Sequence, residues 1–332
     1  MSALLFVVAF FFVAVLVYMA RYSGRVHVVQ TRVIDAPVAE TWAYVADLRR
    51  WRGWSPWLED ESVAHHSTGF DDAVAGSHRW TRDGVELGRI EHLRMRGPGR
   101  IEQRLRLARP FPLRGTSSWQ VAGCDGGTRV TWSLRGRVAF SMRAFASTVQ
   151  GALALDLRYG LDRLAGLVEG ESAPRYAVRY EGLREQAAVR YAYIERTGRI
   201  GDQAAAMRGA ASELGAALTR QNVPAAGGPM ALYLKTNIKQ RTTTCRFCIP
   251  IGDADVDGVA VASLPRHRAF VTSLLGSREH LEVAWYLAMQ RLSVLALEPD
   301  LRVPPSERYL DDLDETPGTQ GRTELLIPVR SV

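Results

Sequence analysis

Three cysteines and seven histidines are the residues of this 332-residue chain with the widest chemical reach, and their spacing limits what they can do. Cys245 and Cys248 stand at CxxC spacing inside a run that starts Thr242-Thr-Thr and ends Ile249-Pro-Ile251. That run reads as a β-strand, where positions i and i+3 point to opposite faces. Redox pairs of this spacing sit at a helix N-terminus instead. No second pair and no neighbouring histidine completes a zinc set, so the cysteines read as structural. With Cys124 they make three, too few for a disulfide framework, which agrees with a reducing compartment. His65, His66 and His78 lie in a polar stretch without carboxylates at ligand spacing, so neither a metal nor a cofactor is expected. Trp119, Trp132 and Leu105 fall on inward positions of period-two segments. They are ordinarily core there, with a pocket lining as the alternative.

The elements that must position such residues begin after an apolar stretch. Ala3 to Ala20 holds no charge, proline or glycine. At about 1.5 Å per residue it would span about 27 Å as a helix, near the thickness of a bilayer's hydrocarbon core. A cleaved signal peptide would need a basic leader and a small-residue cleavage site. Here Arg21 and Arg25 follow the stretch instead. Residues 1–24 are therefore expected to be a single-pass anchor in the inner, cytoplasmic membrane, with the rest of the chain on the cytoplasmic side.

About 310 further residues suit two domains. Composition is that of ordinary globular protein, 47% hydrophobic and 23% charged. The net charge of +7 comes from 42 basic residues, of which only Lys235 and Lys239 are lysines. Along the sequence the arginines are spread, with no linear stretch of them and no nucleic-acid-binding signature, so nucleic acid is not an expected partner.

In the first half a strand over Arg25 to Ile34 precedes a helix start at Asp35-Ala-Pro37. Tryptophans follow at 51, 54 and 57, and then strands of period two. In Arg100 to Leu107, Ile101, Leu105 and Leu107 face one way and four charged residues the other. Asp125-Gly-Gly127 turns into a strand over Thr128 to Arg135, and a long helix runs from about Ser141 to Val168. This order predicts an α+β domain over residues 25–170, a curved sheet wrapped on one helix. The segments Val33-Ile-Asp-Ala-Pro-Val-Ala-Glu-Thr-Trp42, Trp54-Ser-Pro-Trp57 and Gly127-Thr-Arg-Val-Thr-Trp132 resemble the START-like polyketide cyclase/dehydrase superfamily. The resemblance implies a helix-grip fold with a cavity for a hydrophobic ligand, in a family of both carriers and enzymes.

Turn residues at 169–174 end the periodicity, and residues 171–187 are expected to be a linker. Residues 188–332 then contain a repeat of strand, helix, strand, strand. Pro229 and Pro305, and Tyr233 and Tyr309, are 76 positions apart, and Ile249 and Ile327 are 78 apart. Two such βαββ units pair about a pseudo-two-fold axis and leave a cleft. The repeat is similar to the gyrase-inhibitor-like effector-binding domain, carried by Pro305 to Tyr309, Thr323-Glu-Leu-Leu-Ile-Pro-Val329 and Glu282 to Trp285. The resemblance implies an acidic residue with aromatic neighbours that receives a cationic or polar aromatic ligand. Glu324 takes that place, with Tyr309, Trp285 and Tyr233 as walls. An ion pair between Glu324 and its repeat counterpart Arg246 is the alternative reading.

Together these readings predict a membrane-anchored protein that senses, sequesters or transfers a hydrophobic or cationic amphipathic small molecule. One alternative is a hydrolase or cyclase acting on a lipophilic or reactive compound with Glu324 and Tyr309. Another is a protein-interaction module.

Overall fold

A computed structural model describes residues 17–58, 63–69, 76–109, 111–170, 176–200, 202–237, 240, 242–311 and 321–330. Of the apolar N-terminal stretch, residues 3–16 lie outside the described residues, and Val17 to Ala20 are helical. Among the described residues no helix is long and apolar enough to cross a membrane. The chain forms two compact units, Met1–Pro174 and Arg175–Val332.

The first unit is α+β. Seven antiparallel strands, β1 (Arg25–Ile34), β2 (Ala64–Thr68), β3 (Ser77–Arg82), β4 (Val85–Arg96), β5 (Arg100–Leu107), β6 (Leu113–Cys124) and β7 (Gly127–Val138), order as β1-β7-β6-β5-β4-β3-β2. Helix α1 (Val38–Ala46) and the 23-residue α2 (Ala146–Val168) pack on the inner face. The expected strand over residues 25–34 has those bounds, whereas the final helix starts later than expected, because Phe140–Phe145 form a 3-10 turn.

Alternation along the strands decides which residues meet α2. Val26 and Val28 of β1, Leu105 of β5 and Val130 and Leu134 of β7 turn inward and are buried with Leu153, Leu157 and Leu164 of the helix. At their centre four tryptophans pack on one another. Trp119 and Trp132 stack with ring centroids 4.3 Å apart, and Trp51 and Trp54 meet them edge-on. Three of the four ring nitrogens are satisfied where burial would otherwise be costly, while Trp54 Nε1 is buried without a hydrogen-bond partner among the described residues. Trp119 Nε1 donates to Gln103 Oε1 at 3.0 Å, Trp132 Nε1 to Ser117 Oγ at 2.9 Å and Trp51 Nε1 to the Val45 carbonyl at 3.0 Å. Gly160 of α2 lets the helix approach, since a Cβ there would sit 2.9 Å from the Trp132 ring.

At the far side of this sheet, His78 is buried beside His65, with 3.1 Å between His65 Nδ1 and His78 Nε2, and 3.0 Å between Ser67 Oγ and His78 Nδ1. Burial, reinforced by His65, Arg52 and His66, pulls the His78 pKa down to about 4, so the ring is neutral at pH 7. The unfolded chain then takes up the proton first. Stability from this ring is therefore complete above about pH 6.5 and is lost as pH falls from there through about 4, by about 2–3 kcal/mol. Chemical unfolding of the first unit followed across that window, in the wild type and in His78→Phe, checks this; the variant loses the slope.

The second unit is a single eight-stranded sheet. Strands β8 (Tyr176–Gln186), β9 (Val189–Arg199), β10 (Met230–Asn237), β11 (Thr242–Pro250), β12 (Ala260–Leu264), β13 (His267–Gly276), β14 (Ser306–Tyr309) and β15 (Arg322–Pro328) order as β12-β9-β11-β10-β14-β15-β13-β8. Helix α3 (Gln203–Arg220) follows β9, and α4 (Leu281–Val294) follows β13. The repeat is thus one strand longer than expected, strand-strand-helix-strand-strand. A pseudo-two-fold axis between β10 and β14 maps one copy on the other. Each copy's first strand crosses over, since β8 pairs with β13 and β12 with β9.

This corrects the expected linker at 171–187, most of which is edge strand β8. With a neighbour on one side only, β8 keeps mostly exposed or half-buried side chains, and Arg179, Glu181, Arg184 and Glu185 erase the apolar alternation that signals a strand.

Candidate ligand site

Beside the pseudo-axis, on the face covered by α3 and α4, the two copies of the repeat converge on one carboxylate. Glu307 of β14 is 1% exposed. Tyr233 Oη donates to its Oε1 at 2.7 Å and Trp285 Nε1 to the same oxygen at 2.6 Å, while the Tyr309 hydroxyl donates to Oε2. Tyr233 and Tyr309 are repeat counterparts. Glu307 itself pairs across the axis with Ala231, its own counterpart 76 positions earlier. A small residue on one side of the dyad leaves room for the glutamate on the other.

Burial, then the Glu307 charge, raises both phenol pKa values well above their ordinary range. Both hydroxyls stay protonated and are fixed as donors to the carboxylate. Among the described residues no arginine, lysine or histidine forms an ion pair with Glu307. Its charge is held by three neutral donors and aromatic surface. Trp285 and Tyr233 meet edge-on with centroids 5.6 Å apart, and the Arg278 guanidinium lies 5.0 Å from the centre of the Tyr309 ring.

Tyr309 and Tyr233 pack with Cys245, Phe247 and Ala210 in one apolar cluster. Over Cys245 and Phe247 a cavity of about 400 Å³ opens between α3 and strands β9 and β11. Arg196, Arg199, Asp202 and Glu213 stand among its lining residues. Its volume lies in the range of small-molecule sites.

Of the residues expected to form the site, Tyr309, Trp285 and Tyr233 come together. Glu324 does not join them. In the β14–β15 ladder Arg308 lies opposite Glu324, and Glu307 opposite Leu325, so Glu324 points to the other face of the sheet from Tyr309. There Arg184 and Arg308 approach its carboxylate at 3.5 Å each, and Arg322 at 3.8 Å. The alternative reading, an ion pair between Glu324 and Arg246, is not formed either. Arg246 binds Glu195 at 2.9 Å and stacks over Tyr193. Two strands separate Glu324 from Arg246, and each has nearer partners of opposite charge. The carboxylate–phenol pair weighed for hydrolysis, Glu324 with Tyr309, is excluded by the same geometry.

Glu307 lies within the Pro305 to Tyr309 segment that carries the resemblance, two positions from Tyr309. On a strand that spacing places both side chains on one face, which is the signal that could have found it. Cys245 and Cys248 point to opposite faces, in separate apolar clusters. Burial raises both thiol pKa values, that of Cys245 to about 11, so neither is a thiolate at neutral pH. Trp119 and Trp132 are the stacked core pair of the first unit.

Two α+β folds therefore share this chain, a sheet gripping one helix and a duplicated sheet with an aromatic-caged carboxylate. Residues 25–169 match the family model described as polyketide cyclase / dehydrase and lipid transport, and this unit has a polyketide cyclase/dehydrase-like fold. Among solved structures the chain is similar to the C-terminal domain of EcmrR, at 16% identity and TM-score 0.39, covering 47% of this chain and 99% of that one. It is similar to SAV2435 bound to tetraphenylphosphonium at 17% identity and TM-score 0.37, covering 46% and 94%. A protein from Chromobacterium violaceum shows 17% identity and TM-score 0.34, covering 43% and 96%. The chain matches no curated protein.

Proposed function

We propose that the protein binds a lipophilic organic cation through its second unit, as a membrane-anchored sensor, reservoir or carrier, with Glu307 as the counter-charge. The observation that carries this reading is the set of donors to Glu307. Tyr233, Trp285 and Tyr309 are all neutral, so among the described residues no ion pair cancels the buried charge, and ring faces add cation–π energy. The apolar stretch at residues 3–20 supports placing this site beside a bilayer, where amphipathic cations concentrate. Titration of the full chain with tetraphenylphosphonium and with a neutral compound of the same size and shape tests the reading. The cation is expected to quench Trp285 emission and bind at least about tenfold more tightly than its neutral counterpart. Equal affinities would remove Glu307 from recognition.

A further inference from the structure

The arginines that are scattered along the sequence meet in the fold. In the register of the first sheet, Arg25 pairs with Arg137, Arg137 with Arg114 and Arg114 with Arg106, and the row continues through Arg89 to Arg79. All six point to the outer face, opposite the tryptophan core, and all six are exposed. Among the described residues none of the six is in an ion pair. Like charges directly opposite one another weaken a sheet, so the row contributes nothing to folding. Two carboxylates of the neighbouring strands are already taken, Glu91 by Arg104 at 3.1 Å and Glu102 by Arg100 at 3.2 Å.

The first four arginines of the row line a trough of about 1110 Å³. Arg135 and His27 form a second line beside them, with Glu86 the acidic residue of the lining. Gly115 and Gly136 form part of the floor. They lie opposite one another in the ladder, between the Arg114–Arg137 and Thr116–Arg135 pairs, whose residues line the trough. Adjacent strands are about 4.8 Å apart, which spreads the four arginines over about 14 Å. Planar guanidinium groups at that spacing suit bidentate contact with more than one phosphate.

We propose that this trough docks the phosphate-bearing headgroups of anionic phospholipids. The row starts at Arg25, and Arg21 to Gly24 separate it from the end of the apolar stretch. Arg25 is five residues beyond Ala20, so the trough's first arginine stays within about 18 Å of the stretch. The lipid source rests on reading the stretch as an anchor; the anion-binding chemistry does not.

The test uses the full chain in neutral detergent with equimolar phosphatidylglycerol and phosphatidylcholine, and quantifies the lipid retained. Phosphatidylglycerol is expected to be enriched about fivefold or more, and raising salt to about 0.5 M abolishes the enrichment. Arg114→Gln/Arg137→Gln brings the ratio to near unity, as an anchor without headgroup preference would give. Removing like charges from a ladder leaves melting no lower than in the wild type, and Arg106→Gln alone serves as the second variant. A ratio near unity in the wild type, or enrichment untouched by the variants, overturns the proposal. If the chain stays in solution without detergent, the anchor reading fails by itself, and flotation on phosphatidylglycerol vesicles still decides the trough through the same variants. Displacement of the lipid by inorganic phosphate or a short oligonucleotide overturns the lipid assignment and gives the trough to that anion.

Discussion

Exchanging Glu307 for glutamine is expected to weaken tetraphenylphosphonium binding by about ten- to a hundredfold, while a neutral compound of the same shape binds within about twofold of the wild type. The substitution keeps size and shape and removes the charge. Trp285 Nε1 and the Tyr233 hydroxyl both donate to Oε1, and the amide oxygen takes over that position. The amide nitrogen then occupies the place of Oε2, and the Tyr309 hydroxyl rotates to accept from it. The buried Tyr309 O–H then lacks an acceptor, which costs about 1–3 kcal/mol of stability, so the neutral compound is what isolates the charge in the binding loss. Alanine at the same position is a different experiment. It strands a buried indole N–H and two phenols and costs about 2–4 kcal/mol of stability, whatever the ligand. Isothermal titration with both compounds, alongside melting curves, separates the two effects. Equal weakening of cation and neutral compound in the glutamine variant would refute an electrostatic role.

Trp132→Ala is expected to destabilise the first unit by about 3–5 kcal/mol. The ring is fully buried, stacks on Trp119, touches Trp51, Trp54 and Trp57, and fills the space against Gly160 of α2. Its removal leaves a cavity too rigidly framed by other indoles to collapse, and it strands the Ser117 hydroxyl. Val29→Ala, on the exposed outer face of β1, is the control and should change stability by no more than about 0.5 kcal/mol. Seven of the eight tryptophans lie in the first unit, so the loss appears in the first unit's fluorescence transition in urea. A midpoint unchanged from the wild type would mean that the tryptophan cluster is not the keystone of this core.

Much of the fold was legible where chemistry is local. Period-two alternation found β5 and β7 because each buries one face, and the 76-residue offset found the duplication because two copies fold by the same rules. Strand β8 was missed for the complementary reason. As an edge it buries little, and its charges hide the alternation. The crossing of β8 and β12 to the other copy's side has no local signal at all, since a strand's partner is decided by the whole sheet.

The sequence by itself determined that Tyr233 and Tyr309 are equivalent, that the cysteines of the CxxC run face apart, and that arginine dominates the positive charge. Those facts depend on spacing along one chain. Only the tertiary structure decided that the two tyrosines share Glu307 and that Glu324 belongs to an arginine cluster on the opposite face. A one-residue step along a strand reverses the face, and the choice of carboxylate depends on which face the helices cover. The arginines give the same lesson. In sequence they are dispersed, yet cross-strand register lines six of them up in a row, because residues far apart along a chain become neighbours about 5 Å apart in a sheet.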